Sequence, residues 1–227
     1  MNIALILASG TGERSGLNQP KQFFLVGNKT LLEHTIETFN NHPLIDEIIV
    51  VTHKDHLTKT QNLCSRYEKI TKITTGGKTR QESSYNGVLA IQAVKNANIL
   101  IHDAVRAFVS PQIITTSIQS LEKHDAVCCA TETTDTILEI DESGYITKVP
   151  CRKNLRCAQT PQCFKLNLIK KAHELAIKNK QIVTDDCGLI LANNLAKIFV
   201  IPGEEQNKKI TYPQDLEFAN WIYEKNT

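Results

Sequence analysis

The sequence lacks both a strong excess of charge and a long apolar run. Its 227 residues include 26 basic and 24 acidic side chains, which leaves a formal net charge of +2. Nucleic-acid binding requires the neutralisation of many phosphates, so we expect no nucleic-acid partner. No apolar run approaches the roughly 20 residues that span a bilayer, and the first residues lack the basic leader and cleavage site of a signal peptide. We therefore expect no membrane partner and a cytoplasmic location.

Cysteine patterns typical of metal sites and disulfide frameworks are also absent. The seven cysteines are an odd number, and no two of them form a Cys-x-x-Cys pair. A chain of this length, with 41% hydrophobic and 22% charged residues, builds its core without disulfides. We expect reduced and mostly buried thiols, and no metal ion held by protein ligands.

Short apolar runs that alternate with helical patterns are present throughout. Residues 3–7 form a continuous apolar run, as in a parallel strand that is covered on both faces. Further strands are predicted over 45–52, 70–74, 98–102, 125–131 and 197–201, and helices over 30–41, 56–67, 80–95, 166–179, 187–193 and 212–223, with another opening at Ser110-Pro111. The alternation predicts one α/β domain over residues 1–227, with a mainly parallel sheet of Rossmann-like topology.

One segment departs from this alternation. Residues 136–140 and 145–149 have the pattern of two strands, and Gly144 stands at the left-handed position of the turn between them. We predict a β-hairpin arm over residues 134–150 that protrudes from the domain. Its apolar side chains need a surface to bury against. They are Ile137, Ile140, Ile146 and Val149.

A glycine-rich turn follows the first strand. Gly10 and Gly12 let the backbone approach an anion closely, with its amide N–H groups directed at the charge. Ser15 stands where a dinucleotide-binding GxGxxG fingerprint has its third glycine, and the P-loop motif is absent. Arg14 and Lys21 supply two cations that suit a triphosphate. The alternative is a surface loop with solvated cations, which the position at the carboxyl end of a strand disfavours.

A second pair of glycines follows the strand predicted over 70–74. Gly77 again permits close approach of the backbone, and Ser83 lies near the start of the next helix, where it can reach the edge of a nucleobase. Thr79 and Glu82 have the spacing of a capping box, so a purely structural turn is the alternative. The two interpretations are compatible.

Charged residues follow the strand predicted over 98–102. Asp103 suits a metal, a ribose hydroxyl or a polyol hydroxyl, and Arg106 suits a phosphate. The alternative is a salt bridge at the strand end. The Thr-Asp-Asp run over 184–186 is either part of a site or a helix N-cap.

The informative segments in chain order are LASGTGER with PKQ, GGxxRxxS, HDAVR, DTI, RxxLxxAQTPQxF, TDD and NKKITxPxDL. With these motifs in this order, the sequence resembles the polyol-phosphate cytidylyltransferase family over about residues 3–221. The resemblance implies that a phosphate oxygen of the acceptor attacks the α-phosphorus of CTP and that pyrophosphate leaves. It also implies that Mg²⁺ arrives with CTP, and that Arg14, Lys21 and Lys209 are the catalytic cations.

The resemblance further implies two substrate subsites. The nucleotide-binding residues would be Ala8, Ser9, Gly10, Gly12, Gly77, Lys78, Ser83 and Asp103. The acceptor-binding residues would be Arg106, Thr136, Arg152, Thr160 and Lys209. Thr136 and Arg152 would come from a neighbouring subunit through the arm, which implies a homodimer with shared active sites.

Three segments depart from the family pattern and leave the acceptor open. Ala107 replaces the usual proline after HDAVR, Asp186-Cys187 resembles the ribitol phosphate branch, and Gln206 replaces an acid. We expect 2-C-methyl-D-erythritol 4-phosphate as acceptor, with ribitol 5-phosphate or another pentitol phosphate as the alternative. A nicotinamide-dependent oxidoreductase is disfavoured by the missing third glycine, and a catalytically silent nucleotide-binding module by the full set of cations.

Overall fold

The computed structural model describes residues 1–12, 19–92 and 96–226 of the chain. A seven-stranded sheet lies at its centre in the order β11-β7-β10-β6-β1-β4-β5, in which β10 is antiparallel to both neighbours and the other pairs are parallel. These strands are β1 (Asn2–Ala8), β4 (Glu47–Thr52), β5 (Ile70–Thr75), β6 (Asn98–Asp103), β7 (Ala126–Glu132), β10 (Arg156–Lys165) and β11 (Phe199–Pro202). The predicted α/β class with a mainly parallel sheet is confirmed.

Helices cover both faces of the sheet. They are α1 (Leu31–Asn41), α2 (Leu57–Cys64), α3 (Arg80–Ala90), α4 (Pro111–Ser120), α5 (Leu166–Lys178), α6 (Asp186–Ala192) and α7 (Pro213–Asn226). Local sequence explains several of their starts. A capping box between Thr30 and Glu33 opens α1, and the Ser110 hydroxyl accepts the Ile113 N–H at the predicted start of α4. No helix in the described part of the chain is long and apolar enough to cross a membrane.

The continuous apolar run of β1 is explained by burial on both sides. Ile6 packs with Ile36 of α1 in one core layer, whereas Leu5 packs with Val88 of α3 and Phe164 in the other. Successive side chains of a strand point to opposite faces, so a strand at the centre of a covered sheet must be apolar at nearly every position. β1 pairs with β4 and β6, and this central place puts the turn after it in the middle of the sheet edge.

The largest differences from the prediction are a missed strand and a shorter helix. The ten-residue strand β10 was not predicted, because Pro161 interrupts it and the register shifts between Ala158 and Gln162. A proline is tolerated inside a sheet at such an irregularity, where its missing N–H removes no ladder hydrogen bond. The helix predicted over 80–95 ends at Ala90, with Ile91 at its C-cap, and positions 93–95 lie outside the described residues.

The predicted arm is a hairpin that does not join the main sheet. Two short antiparallel strands, β8 (Glu139–Ile140) and β9 (Ile146–Lys148), pair only with each other. Gly144 in the turn has φ +87°, as its left-handed position requires. Large apolar side chains of the arm are exposed. They are Ile137, Leu138, Ile140, Tyr145, Ile146 and Val149. A two-stranded ribbon with these side chains in water requires a partner surface for independent stability.

The remaining short strands, β2 (Leu25–Val26) and β3 (Lys29–Thr30), form a small hairpin that leads into α1. This hairpin connects the glycine-rich turn region to the first helix. Val26 of this hairpin and Leu31 of α1 belong to a third apolar cluster, which also contains Ala219 of α7. The C-terminal helix thereby packs near the loops that follow β1 and β6.

Candidate active site

A cavity of about 470 Å³ lies at the carboxyl ends of the central strands. Open α/β sheets bind ligands at this edge. Most of the predicted site residues line it together: Ala8, Ser9, Gly10, Gly12, Lys21, Gly77, Lys78, Ser83, Asp103 and Lys209. A larger cleft of about 690 Å³ along α1 is lined by no lysine or arginine, so it does not suit a triphosphate. Arg14, the remaining predicted catalytic cation, lies outside the described residues.

The glycine-rich turn is held in place by Gln22. Its side-chain amide donates to the carbonyl oxygens of Ala8 at 2.7 Å and Gly10 at 3.1 Å, and the residue is 3% exposed. The turn backbone is therefore fixed before any ligand binds, which lowers the cost of ordering it around phosphates. Gln22 belongs to the PKQ motif, but this contact with the turn cannot be predicted from the motif alone. The adjacent Lys21 directs its ammonium toward the cavity rim, with Nζ 3.3 Å from the Thr211 carbonyl oxygen.

Ser83 joins the two glycine-containing loops. Its Oγ accepts hydrogen bonds from Ser9 Oγ at 2.8 Å and from the Gly77 N–H at 3.1 Å, and it donates to the Thr79 carbonyl at 2.9 Å. A hydroxyl has one donor and two acceptor positions, so all three are used within the chain. A Cβ on Gly76 would lie 2.6 Å from Ser83 Oγ, which explains the glycine there. Contact of the Ser83 side chain with a nucleobase stays a prediction.

Thr79 caps α3 as predicted, but Glu82 accepts from Lys78 and not from the N–H of Thr79 as in a full capping box. The Thr79 side chain accepts the Glu82 N–H at 3.1 Å, and Glu82 Oε2 accepts the Lys78 N–H at 2.6 Å. This turn is built from local contacts, and its backbone faces the cavity beside β1. His53, which follows β4 between the two loops, also lines the cavity and was not singled out from the sequence. Its position at the carboxyl end of a strand is the signal that could have found it.

Asp103 lies between two cations. Its Oδ1 is 3.1 Å from Arg80 Nε, and its Oδ2 is 2.7 Å from Lys209 Nζ. Burial alone would raise the pKa of this carboxyl, but the charges of Arg80 and Lys209 outweigh it and hold the pKa well below its ordinary value. Asp103 is therefore a carboxylate at neutral pH, and the salt bridge considered as an alternative is present.

Thr160 lies beside the cavity wall, and its contact with the acceptor stays a prediction. Its hydroxyl is buried, accepts the Asp103 N–H at 3.0 Å and lies 3.0 Å from His102 Nδ1. The Arg106 carbonyl oxygen, 3.1 Å from His102 Nε2, can only accept, so Nε2 carries the proton of the neutral ring and Nδ1 accepts from the Thr160 hydroxyl. Burial lowers the pKa of His102 to about 4, which favours this neutral tautomer. In this chain Thr160 positions Asp103 and does not line the cavity.

Arg106, predicted to bind the acceptor, is likewise not among the residues that line the cavity. Its Nη1 donates to the Asn207 carbonyl at 2.7 Å. Asn207 is fully buried, and its amide donates to the Thr160 carbonyl at 2.8 Å and to Gln159 Oε1 at 3.1 Å. These contacts fix the loop that carries Lys209 onto β10. Two guanidinium nitrogens of Arg106 contact backbone carbonyls, and Nε is buried with no hydrogen-bond partner among the described residues. Contact of Arg106 with the acceptor stays a prediction.

The two predicted acceptor residues of the arm lie away from the cavity of their own chain. Thr136 is exposed, and Arg152 is exposed with its Nη1 2.8 Å from the Thr134 carbonyl. Neither belongs to the cavity lining. Their predicted contribution to a neighbouring subunit's site stays a prediction.

The described residues do not form a resident metal site. No group of three His, Cys, Asp or Glu side chains that could hold a cation occurs among them. Among the described residues that line the cavity, Asp103 is the one carboxylate, and both of its oxygens are engaged by cations. Of the seven free cysteines, five are buried, while Cys151 and Cys157 are exposed. The expectation of mostly buried thiols is confirmed.

Comparison with known proteins confirms the resemblance. The family profile of 2-C-methyl-D-erythritol 4-phosphate cytidylyltransferase (IspD) matches residues 2–225. The 2-C-methyl-D-erythritol 4-phosphate cytidylyltransferase of Clostridium acetobutylicum is 40% identical, covering 100% of this chain and 99% of that protein. The bifunctional ribulose 5-phosphate reductase/CDP-ribitol pyrophosphorylase Bcs1 of Haemophilus influenzae is 36% identical, covering 100% of this chain and 49% of that protein.

Solved structures agree with these relatives. The crystal structure of 4-diphosphocytidyl-2C-methyl-D-erythritol synthase from Anaerococcus prevotii has a TM-score of 0.89 at 32% identity, with 99% of this chain and 96% of that chain covered. The similarity of fold thus extends over almost the whole length of both chains. This chain belongs to the 2-C-methyl-D-erythritol 4-phosphate cytidylyltransferase family.

Proposed function

We propose that this chain is a single nucleotidyltransferase domain that transfers CMP from CTP to 2-C-methyl-D-erythritol 4-phosphate and releases pyrophosphate. The observation that carries the proposal is one cavity that joins a preformed glycine-rich turn, Lys21 and the Asp103–Lys209 pair. A phosphate oxygen of the acceptor forms the new bond to the α-phosphorus. The bond between that phosphorus and the pyrophosphate oxygen breaks, and pyrophosphate leaves with its electron pair.

The chain's own part in this reaction is positioning and charge. Backbone amides around Gly10 and Gly12 face the triphosphate, and Lys21, with Arg14, neutralises the charge that grows on its oxygens. Lys209 lies across the cavity beside Asp103, where it can meet the phosphate of the acceptor. The nucleophile is already an ionised phosphate oxygen, so no side chain has to remove a proton. Mg²⁺ belongs to the substrate as the Mg–CTP complex.

The direct test of the function is a pyrophosphate-release assay with CTP and Mg²⁺, in which 2-C-methyl-D-erythritol 4-phosphate and ribitol 5-phosphate are offered separately. We expect turnover with the first acceptor. Lys21→Ala should lower kcat by about 10²–10³-fold, because one preorganised cation contributes that much to a charged transition state. Lys29→Ala removes a lysine that pairs with Glu37 on the surface and serves as the control. Full activity of Lys21→Ala would contradict the assignment.

Ribitol 5-phosphate is retained as a second acceptor because of one relative. The Haemophilus influenzae protein named above contains a CDP-ribitol pyrophosphorylase and matches this chain over its full length. The departure at Asp186 does not favour that acceptor, since Asp186 is buried behind Arg80 and does not line the cavity. Turnover with ribitol 5-phosphate alone would replace the first acceptor by the second and leave the CTP chemistry in place.

We also propose that the enzyme acts in the cytoplasm as a homodimer with shared sites, to which the arm of each chain contributes Thr136 and Arg152. The exposed apolar side chains of the arm support this. Mixing refolded Lys209→Ala and Arg152→Ala chains tests it. Each mixed dimer would contain one intact site, so we expect recovery of about a quarter of the wild-type activity if chains pair at random. No recovery in demonstrated mixed dimers would contradict shared sites.

A further inference from the structure

The Thr-Asp-Asp run at the start of α6 contains two aspartates with different environments. Asp185 is the N-cap, and its Oδ1 accepts the Gly188 N–H at 2.8 Å. Asp186 makes no such contact. Its Oδ2 is 2.7 Å from Arg80 Nη1, its Oδ1 accepts the Ser84 hydroxyl at 2.5 Å, and it is 1% exposed. The capping interpretation therefore accounts for Asp185 and leaves the buried charge of Asp186 unexplained.

Arg80 connects Asp186 to the cavity. One nitrogen of its guanidinium, Nη1, pairs with Asp186, and another, Nε, lies 3.1 Å from Asp103 Oδ1. The other oxygen of Asp103 holds Lys209 Nζ at 2.7 Å. We call these four residues the ion-pair chain. Its charges alternate and sum to zero, and of its members only Asp186 does not line the cavity.

The geometry points to a further positioning residue for the proposed reaction: Asp186 holds the Arg80 guanidinium so that Asp103 keeps one oxygen for Lys209. This inference rests on the proposed function for its catalytic meaning. The physical reason is the fork of donors on arginine, which pairs with two oxygens of one carboxylate whenever it is free to do so. The contact of Nη1 with Asp186 holds the guanidinium in an orientation in which only Nε contacts Asp103, and Lys209 retains its partner and its place.

Loss of the Asp186 charge would change this balance. Arg80 and Lys209 would then share Asp103 alone, and the site would carry a net positive charge close to a buried carboxylate. We expect the released Arg80 guanidinium to reorient so that two adjacent nitrogens pair with both oxygens of Asp103 and displace the Lys209 ammonium. A Lys209 displaced from the cavity wall no longer meets the acceptor phosphate at the required distance, and misplacement by about 1 Å can cost roughly 10²-fold in rate.

A purely structural ion pair between α3 and α6 predicts a different outcome. Loss of such a pair would lower the melting temperature of the protein and leave kcat unchanged. Comparison of Asp186→Asn with Asp185→Asn distinguishes a positioning role from a purely structural one. Each variant removes one negative charge from the start of α6, but only Asp186 pairs with Arg80. We expect Asp186→Asn to lower kcat by at least about tenfold with a smaller change in the KM for CTP, and Asp185→Asn to keep kcat within about twofold. Melting temperatures of both variants report the structural contribution.

A second readout does not depend on turnover. An ion-paired ammonium reacts slowly with an amine-acylating reagent, so the labelling of Lys209 relative to Lys208, quantified by peptide mass spectrometry, reports whether Lys209 keeps its partner. We expect Asp186→Asn to raise this ratio and Asp185→Asn to leave it unchanged. Asp186→Glu, which keeps the charge, should restore part of both kcat and the labelling ratio, and it serves if the asparagine variant does not fold.

The outcomes are separable. Wild-type protein that releases no pyrophosphate with either acceptor would overturn the proposed function, whereas a raised Lys209 labelling ratio in Asp186→Asn would still support the positioning of Lys209. Equal kcat and equal labelling in the two asparagine variants would overturn the role of Asp186, even in a fully active enzyme. A fall in melting temperature for Asp186→Asn with unchanged kcat would show that the pair is structural only.

Discussion

The wall of the cavity and the arm differ in how many of their side chains find partners within one chain. In the cavity wall, Asp103 and Lys209 are paired within the chain, and the glycine-rich turn is held by the Gln22 side chain. In the arm, the strands pair only with each other, and six large apolar side chains are exposed. The described charges of the site are therefore paired within one chain, whereas the arm leaves its large apolar side chains exposed.

This difference indicates that catalysis depends on the cavity wall and assembly on the arm. Preorganised charges lower a barrier because they need no rearrangement when the transition state forms, so the cavity wall has to be satisfied in advance. An apolar hairpin gains its stability only when a second surface covers it. If Thr136 and Arg152 complete the acceptor subsite of a partner, activity depends on assembly although the nucleotide subsite does not.

The largest effect is expected in the cavity wall, for Lys209→Ala. This substitution removes one catalytic cation and leaves Asp103 with Arg80 alone, and we expect kcat/KM to fall by about 10²–10³-fold. Lys208→Ala is the matched control, because the neighbouring Lys208 pairs with Asp215 at 2.8 Å instead. Steady-state pyrophosphate release measures both variants. Similar losses of kcat/KM in the two variants would show that activity depends on the total positive charge of this segment and not on the position of Lys209.

A smaller effect is expected from the arm. Replacing the exposed Ile140 and Ile146 by serine should weaken dimerisation and lower kcat/KM by about tenfold to 10²-fold through loss of the partner's arm residues. Ile182→Ser is the control, since Ile182 is 94% exposed at a distance in sequence from the arm. Light scattering and the activity assay are run at the same protein concentrations. A monomeric double variant with wild-type activity would break the link between assembly and catalysis.

The sequence predicted those features that depend on neighbours in the chain. The apolar run of β1, the glycines after it and the hairpin turn at Gly144 all follow from local pattern. Strand β10 was missed because Pro161 and a register shift obscure its pattern. The pair of Arg80 and Asp186 joins residues 106 positions apart, which no local pattern can indicate. The inward direction of the Thr160 and Arg106 side chains depends on tertiary packing and could not be predicted either.

The buried histidine behind the cavity wall predicts a pH dependence of stability. The pKa of His102 is about 4 in the folded chain, below its ordinary value of 6.5, so the unfolded state takes up its proton first as the pH falls. The contribution of neutral His102 to the free energy of unfolding is fully present above pH 6.5 and is lost toward pH 4. It amounts to at most about 3 kcal/mol.

His102→Gln isolates this contribution, because a glutamine can accept from Thr160 and donate to the Arg106 carbonyl without titrating. Urea unfolding between pH 7 and pH 4 should show a steeper loss of unfolding free energy for the wild type than for the variant. Burial also lowers the pKa of His42 and of His173, but these residues are common to both proteins and cancel in the difference. Parallel curves for the two proteins would contradict a neutral buried His102.

The smallest effect is expected for Gln22→Leu, which tests how far the preformed turn matters. Leucine keeps most of the side-chain volume and removes the amide that donates to the Ala8 and Gly10 carbonyls. The turn would then be ordered only when CTP binds, and the cost of ordering a few residues should raise the KM for CTP by about tenfold. Because the charges on Lys21 and Lys209 remain, kcat should change by less than about threefold. A loss that fell on kcat alone would mean that Gln22 acts on the transition state and not on the resting shape of the turn.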